Sequence, residues 1–322
     1  MISYQTWAGR MRLKLAALIC LLTASMSASG QAGDIEFNYL GTAGWEIKSG
    51  GLVILVDPFI SGLKYGLERS IAEREKSRSL WMADRPVPDT ALIDKVLTKA
   101  DFILVHHSHV DHILDVPHIA KKTGAKVIGT ETTRNMLRAQ GVPDAQLHAV
   151  RGGEDYQFEG LSIRVIPSLH TAFEDKKYFD SRRHGPEVKL PLQRADFIEG
   201  GTLMYLIRVG GYEVLTMGSM NFIERELQGL KPDILIAGVT NSRRHIYEYT
   251  NRLLAATGSP KIVMPSHWDI SPLYRNEAAY QQERTEVLGP FVKEVASAAP
   301  ASKVILPIHL RPIAISGGRV EE

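Results

Sequence analysis

The apolar run Phe102-Ile103-Leu104-Val105 leads directly into His106-His107-Ser108-His109-Val110-Asp111-His112. The run reads as a short buried strand. A strand that ends in this heptapeptide presents several imidazoles and one carboxylate from a single turn, and those are the ligand types that suit zinc. The chain holds 11 histidines in 322 residues, so four of them within seven positions is improbable by composition. The default expectation is a metal centre at a strand end, serving hydrolysis.

Short apolar, β-branched runs recur on both sides of this cluster. Strands are predicted at 34–40, 52–56, 102–105, 126–129 and 161–166, then at 202–209, 212–216, 233–239, 261–264 and 303–306. Helical patterns fall between them at 91–99, 116–123, 132–139, 222–229, 247–256 and 277–296, the last broken or kinked at Gly289-Pro290. Two alternating β/α halves result, an α/β chain without linker, repeat or low-complexity segment between Asp34 and Ile315.

Before residue 33 the pattern changes. Arg10, Arg12 and Lys14 precede an apolar run at 15–22, and small polar residues continue through Ala32. This is the order of a secretory signal, and the run is too short for a stable bilayer span. The expectation is a signal peptide over 1–32 and one domain over 33–322, periplasmic or secreted. Cys20, the only cysteine, lies in the leader, so the mature protein would form no disulfide. The leader takes three of the 38 basic residues and none of the 36 acidic ones, leaving 35 against 36. No basic footprint for nucleic acid survives that balance.

From His107 to His112 the cluster reads His-x-His-x-Asp-His, and here the chain resembles the metallo-β-lactamase superfamily. The resemblance implies a four-layer αββα sandwich with further ligands at later strand ends. Ile163-Arg164-Val165-Ile166-Pro167-Ser168-Leu169-His170 and Lys261-Ile262-Val263-Met264-Pro265-Ser266-His267-Trp268 have that form. The opening Phe37-Asn38-Tyr39-Leu40-Gly41-Thr42-Ala43-Gly44-Trp45, followed by Leu52-Val53-Ile54-Leu55-Val56-Asp57-Pro58-Phe59, is similar to the branch that includes ascorbate-6-phosphate lactonase. By this resemblance His107, His109 and His170 hold one zinc ion, and Asp111, His112 and His267 hold a second. One family ligand is missing. Most dinuclear members bridge their metals with an aspartate after a strand-end glycine, whereas Gly218 here is followed by Ser219. A neutral hydroxyl brings no charge to offset two dications, so the second site is expected to be the weaker.

The implied chemistry follows from these ligands. Three neutral imidazoles leave a zinc ion its full charge, which lowers the pKa of bound water to about 7 and delivers hydroxide near neutral pH. Asp111 is the catalytic candidate, serving the second metal and orienting the nucleophile. Ser219 is expected to hydrogen-bond rather than coordinate, and Asp57 is either a turn residue or the partner that orients a histidine ligand. Arg183, with Arg182, and Arg244, with Arg243, are candidates for an anion clamp, or else surface charges. Trp268 and Trp45 are candidates for an apolar wall. The segment 61–90 holds a helix-like stretch at 67–79 and Leu80-Trp81-Met82, a lid or an outer-surface helix. His106, His118, His148 and His309 read as packing or surface residues. The substrate is expected to be a small molecule with an ester, lactone or related bond. The alternatives are a phosphodiester, as in phospholipase-D-like relatives, a β-lactam, or no reaction at all in an idle metal-binding domain. Nothing in the pattern specifies an oligomeric state.

Overall fold

Alternate side chains of the central strands enter two different cores, and this decides the layering. Ile54 and Val56 of β3 (Leu52–Val56) and Phe102 and Leu104 of β4 (Phe102–Leu104) pack in one cluster, while Val53, Leu55 and Ile103 pack in another. Successive residues of a strand face opposite sides, so a sheet covered on both faces requires unbroken apolar runs. In the computed structural model, which describes residues 33–62, 85–172, 182–269, 281–282 and 284–321, such strands form two stacked sheets.

The first sheet has eight strands in the order β15-β14-β1-β2-β3-β4-β5-β6. Besides β3 and β4 these are β1 (Ile35–Gly41), β2 (Gly44–Ser49), β5 (Lys126–Gly129), β6 (Leu147–Ala149), β14 (Ile313–Ser316) and β15 (Arg319–Val320). The second has seven, in the order β13-β12-β11-β10-β9-β8-β7. They are β7 (Asp155–Phe158), β8 (Leu161–Ser168), β9 (Thr202–Val209), β10 (Tyr212–Met217), β11 (Ile234–Gly238), β12 (Ile262–Ser266) and β13 (Lys303–Val304). Ile163 and Val165 of β8 and Tyr205 and Ile207 of β9 join Ile54 and Leu104 in the cluster between the sheets.

Strands β3 to β6 are parallel, as are β10 to β13. Parallel neighbours need crossover connections, and helices supply them. Over the first sheet lie α1 (Thr90–Val96), the short α2 (Val110–Ile113), α3 (Val116–Thr123) and α4 (Glu131–Ala139), which contribute Ile93, Ile113, Ile119, Met136 and Leu137 to the outer core. The second sheet carries α5 (Glu224–Leu227), α6 (Tyr249–Ala256) and α7 (Gly289–Ala298), with Leu253, Phe291 and Val295 buried. The result is the expected αββα sandwich. Because β8 and β10 both oppose β9, they run in the same sense, and β10, β11 and β12 are parallel. The loops after β8, β10 and β12 therefore leave the second sheet at one rim.

The strands missing from the sequence-based expectation are β2, β6, β7, β14 and β15; the last four are short or lie toward sheet edges, whereas β2 has six residues and sits in the middle of the first sheet. The last helix is broken where expected: a π-helical turn at Arg284–Leu288 runs directly into α7, which starts at Gly289-Pro290, as suits a proline at the first turn. The signal-like leader 1–32 and the 67–82 part of the proposed lid lie outside the described residues. No helix among the described residues is long and apolar enough to cross a membrane.

Candidate metal centre

Three loops supply the ligand candidates: the one after β4, the one after β8 and the one after β12. Donor atoms of His107, His109 and His170 lie within 4.8 Å of one another, and those of Asp111, His112 and His267 do the same. His107 Nε2 and His109 Nδ1 are 3.0 Å apart. The rings of His107 and His112 have centroids 3.8 Å apart, which sets the two groups side by side. Asp111 Oδ2 stands 3.3 Å from His267 Nε2 and 3.6 Å from His112 Nε2. Local structure explains how one heptapeptide serves both groups. His109 is extended, with φ −67° and ψ 158°, and α2 starts at the next residue, so Asp111 and His112 turn away on its first turn.

Asp57 orients one of these histidines. It follows β3 with φ 40°, and its backbone N–H donates to Leu104 O at 2.9 Å. Its Oδ2 accepts from His112 Nδ1 at 2.5 Å and from His106 Nδ1 at 2.6 Å, while Oδ1 accepts from the His106 backbone at 2.8 Å. His112 is thereby left with Nε2 directed toward Asp111. A carboxylate behind a ligating imidazole fixes its tautomer and raises its basicity. His106 completes the arrangement with Nε2 3.0 Å from Thr216 Oγ1. The sequence places His106 among packing or surface residues, and its partners give it a larger part: it is buried and shares the carboxylate that holds His112. Its position beside the motif was the one signal.

The electrostatics follow from burial and proximity. Burial acts to raise Asp57, but the charges and hydrogen bonds of His106 and His112 outweigh it and hold the carboxyl at about 2. Burial is likewise overcome at Asp111, which His112 and His267 keep well below the usual carboxylate range. His112 would be lowered by burial, yet Asp57 and Asp111 raise it. Burial and neighbouring imidazoles push His107 well below its ordinary value, and burial brings His170 down to about 4. Neutral imidazoles and an ionised carboxylate are the states that ligate metal.

His170 directs Nδ1 to its neighbour's carbonyl, Thr171 O, at 3.1 Å, and its own carbonyl accepts from Asn221 Nδ2 at 3.1 Å. Ser219 Oγ accepts the Thr171 backbone N–H at 2.9 Å. The serine thus fastens the loop that carries His170 and belongs to neither ligand group. Gly218 beside it has no room for a side chain, since a Cβ there would stand 2.4 Å from His106 Cβ. His267 adopts φ 54°, an unfavourable conformation for a histidine, held by its N–H donating to Thr42 O at 2.6 Å.

A divalent metal fits these residues. His112 Nε2, the ring nitrogen that faces Asp111, is buried without a hydrogen-bond partner among the described residues. Leaving such an atom unsatisfied costs about 1–3 kcal/mol, and coordination relieves that cost wherever the atom is a ligand.

Other candidates stand elsewhere. Trp268 is 2% exposed and stacks on Tyr39 at 6.0 Å, and Trp45 is fully buried with Nε1 donating to Ser266 Oγ, so both are core residues and neither forms an open apolar wall. Arg244 lines a cavity of about 580 Å³ between α6 and α7 that no ligand candidate reaches, and the neighbouring Arg243 is buried against Glu294. Arg183 lines a different cavity, so the two arginine pairs do not form one clamp. His118 pairs with Asp94 at 2.8 Å and His309 bonds Leu40 O at 2.8 Å, as surface and packing residues do.

An αββα sandwich whose strand-end loops gather two such ligand groups defines a class, the metal-dependent hydrolases of the metallo-β-lactamase fold. The chain belongs to that superfamily, since the family profile described as the beta-lactamase superfamily domain matches residues 36–267. A metal-dependent hydrolase of Polynucleobacter asymbioticus is 26% identical over 280 residues, covering 82% of this chain and 87% of its own. Among solved structures, a metallo hydrolase from Ignicoccus hospitalis superposes with a TM-score of 0.55 at 18% identity, covering 88% of this chain and 99% of that one. The metallo-β-lactamase fold protein YhfI from Bacillus subtilis superposes with a TM-score of 0.51 at 12% identity, with the same coverage.

Proposed function

We propose that the protein is an exported zinc-dependent hydrolase that cleaves an ester, lactone or related bond in a small molecule. In this reading His107, His109 and His170 hold one ion, and Asp111, His112 and His267 hold a second, weaker one. The observation that carries it is the pair of adjacent three-donor groups, each within 4.8 Å, at the rim of the sandwich. Nitrogen donors with a single carboxylate favour zinc over harder cations. When bound, the metal supplies the Lewis acid that acidifies water and polarises the scissile bond.

The side chains do the rest. Asp111, kept ionised, accepts a hydrogen bond from the attacking water and aims it at the electrophile. Asp57 holds the ring of His112, and Ser219 holds the loop of His170 through Thr171. With serine in place of a bridging carboxylate, Asp111 is the one carboxylate within the two donor groups, which supports the weaker second site. The lactonase-like opening supports the bond type, and the basic-apolar-small order of residues 1–32 supports export.

The test combines metal analysis with a substrate panel. Elemental analysis of the purified protein during graded chelation should show two stages of zinc loss. Activity should appear on generic esters or lactones and vanish with the tightly held zinc. Cleavage confined to phosphodiesters or β-lactams would replace the bond assignment, and inactivity across the panel would favour an idle metal-binding domain. A protein that never holds more than a trace of divalent metal would overturn the reading.

A further inference from the structure

A cavity of about 350 Å³ lies beside the metal centre, with Arg151 and Arg183 in its lining. Its wall is tied to the ligand loop by two backbone bonds. Ser108, between His107 and His109, donates to Glu199 O at 2.9 Å, and Leu203 donates to His106 O at 2.9 Å. Ser168, two residues before His170, lines it as well. We infer that this cavity seats an anionic oxygen group of the substrate, a carboxylate or a phosphate, between Arg151 and Arg183. The inference rests on the hydrolase reading for the word substrate, and on the cavity alone for the anion.

The cavity has the marks of a constructed space. Gly200 and Gly201, at φ 69° and 101°, form a stretch of wall without side chains, and a Cβ on Gly200 would lie 2.4 Å from Thr132 Cβ. A Cβ on Gly201 would lie 3.9 Å from Arg183 Nη2, so this guanidinium runs along the bare backbone. The chain behind Arg183 is anchored on α4, where His184 N–H donates to Thr132 Oγ1 at 3.2 Å and Asn135 Nδ2 donates to His184 O at 3.0 Å. Arg151 lines the same cavity. The next residue, Gly152, packs so closely on Pro167 that a Cβ would come within 2.7 Å of its ring, and Arg151 N–H donates to Glu154 Oε1 at 2.8 Å.

Two carboxylates share the lining. Glu199 accepts from Thr202 Oγ1 at 2.8 Å, and Glu131 stands in the first turn of α4, where a negative charge is favoured. Neither Arg151 nor Arg183 makes an ion pair among the described residues, unlike Arg243, whose guanidinium is taken up by Glu294. Guanidinium groups bind carboxylate and phosphate oxygens through paired, charge-assisted hydrogen bonds. The volume lies at the small end of ligand sites, which suits the charged end of a substrate whose reacting bond lies over the ligands.

The test uses the zinc-loaded wild type, the double variant Arg151→Gln/Arg183→Gln and the control Arg225→Gln, whose side chain is 84% exposed and pairs with its neighbour Glu226. Succinate and methyl phosphate are titrated into each by calorimetry. The wild type and the control should bind one probe preferentially, which identifies the anion, and the double variant should bind it at least ~10-fold more weakly, as the loss of charged hydrogen bonds implies. Equal affinity in the double variant, or no binding of either probe by the wild type, overturns the proposal. In parallel, kcat/KM for an ester bearing a terminal carboxylate is divided by that for its neutral counterpart, and the ratio should fall at least ~10-fold in the double variant if carboxylate is preferred. A wild type that cleaves neither ester bears against the hydrolase reading, while the calorimetric result still decides the anion site.

Discussion

In the proposed reading Asp111 joins the second ligand group to the chemistry. Replacing it with asparagine removes a ligand and the acceptor for the attacking water, so Asp111→Asn should lower turnover at least ~100-fold while leaving the zinc of the three-histidine group in place. Steady-state kinetics with elemental analysis checks both halves, and retained turnover would refute the role. Ser219 makes a contrasting case. Its Oγ meets the Thr171 N–H at 2.9 Å, a bond that an aspartate oxygen can also accept. Ser219→Asp should therefore keep the loop and add the missing charge, tightening the second zinc. Titrating zinc into stripped wild type and variant tests this, and equal second-site affinity would contradict the account. His106 marks the limit of sequence reading at this scale. Its partners Asp57 and Thr216 are 49 and 110 positions away, so no local pattern could connect them.

At the scale of elements, the ends of strands matter more than their middles. Strand β10 ends at Met217, and Gly218 must stay free of a side chain because His106 lies against it. Gly218→Ala should push His106 away from Asp57 and loosen His112, at a stability cost of about 1–3 kcal/mol and with weaker binding of the second metal. Urea unfolding together with the zinc titration would reveal it, and an unperturbed second site would show that His106 does not govern His112. Helix α7 offers a test far from the metal. Its Glu294 binds the buried Arg243 through two hydrogen bonds, at 2.8 and 3.1 Å, and accepts Thr250 Oγ1 at 2.6 Å. Arg243→Met should cost about 2 kcal/mol, the scale of lost charged hydrogen bonds, without changing metal content. The strand and helix pattern that positions these elements was largely legible from apolar periodicity. The short outer strands were not, because two to four residues with mixed burial carry too little alternation to be told from loops.

The whole molecule should answer to pH through its buried titratable groups. In the metal-free protein His170 has a pKa of about 4 and His107 lies well below its ordinary 6.5, so both stay neutral in the fold at pH values where the unfolded imidazoles bind protons. The unfolded state then binds more protons, and stability should fall as pH drops from about 6.5 toward 4. Burial raises Asp115 to about 6 from an ordinary 3.8, so it takes up a proton in the fold first and works in the opposite direction across that window. Asp115→Asn should therefore steepen the acid loss, as thermal unfolding of stripped protein at a series of pH values would show. The sequence by itself determined the class of the protein. The ligand candidates read from it sit at strand ends in patterns of a few residues, and such patterns depend only on local chain geometry and donor chemistry. Tertiary structure alone decided that Asp57 and His106 stand behind His112, that Ser219 secures the His170 loop, that Trp268 is core, and that Arg183 lines one cavity with Arg151 and not with Arg244. Each of these depends on which distant strands the two sheets bring to one rim, a consequence of packing that no short stretch of sequence encodes.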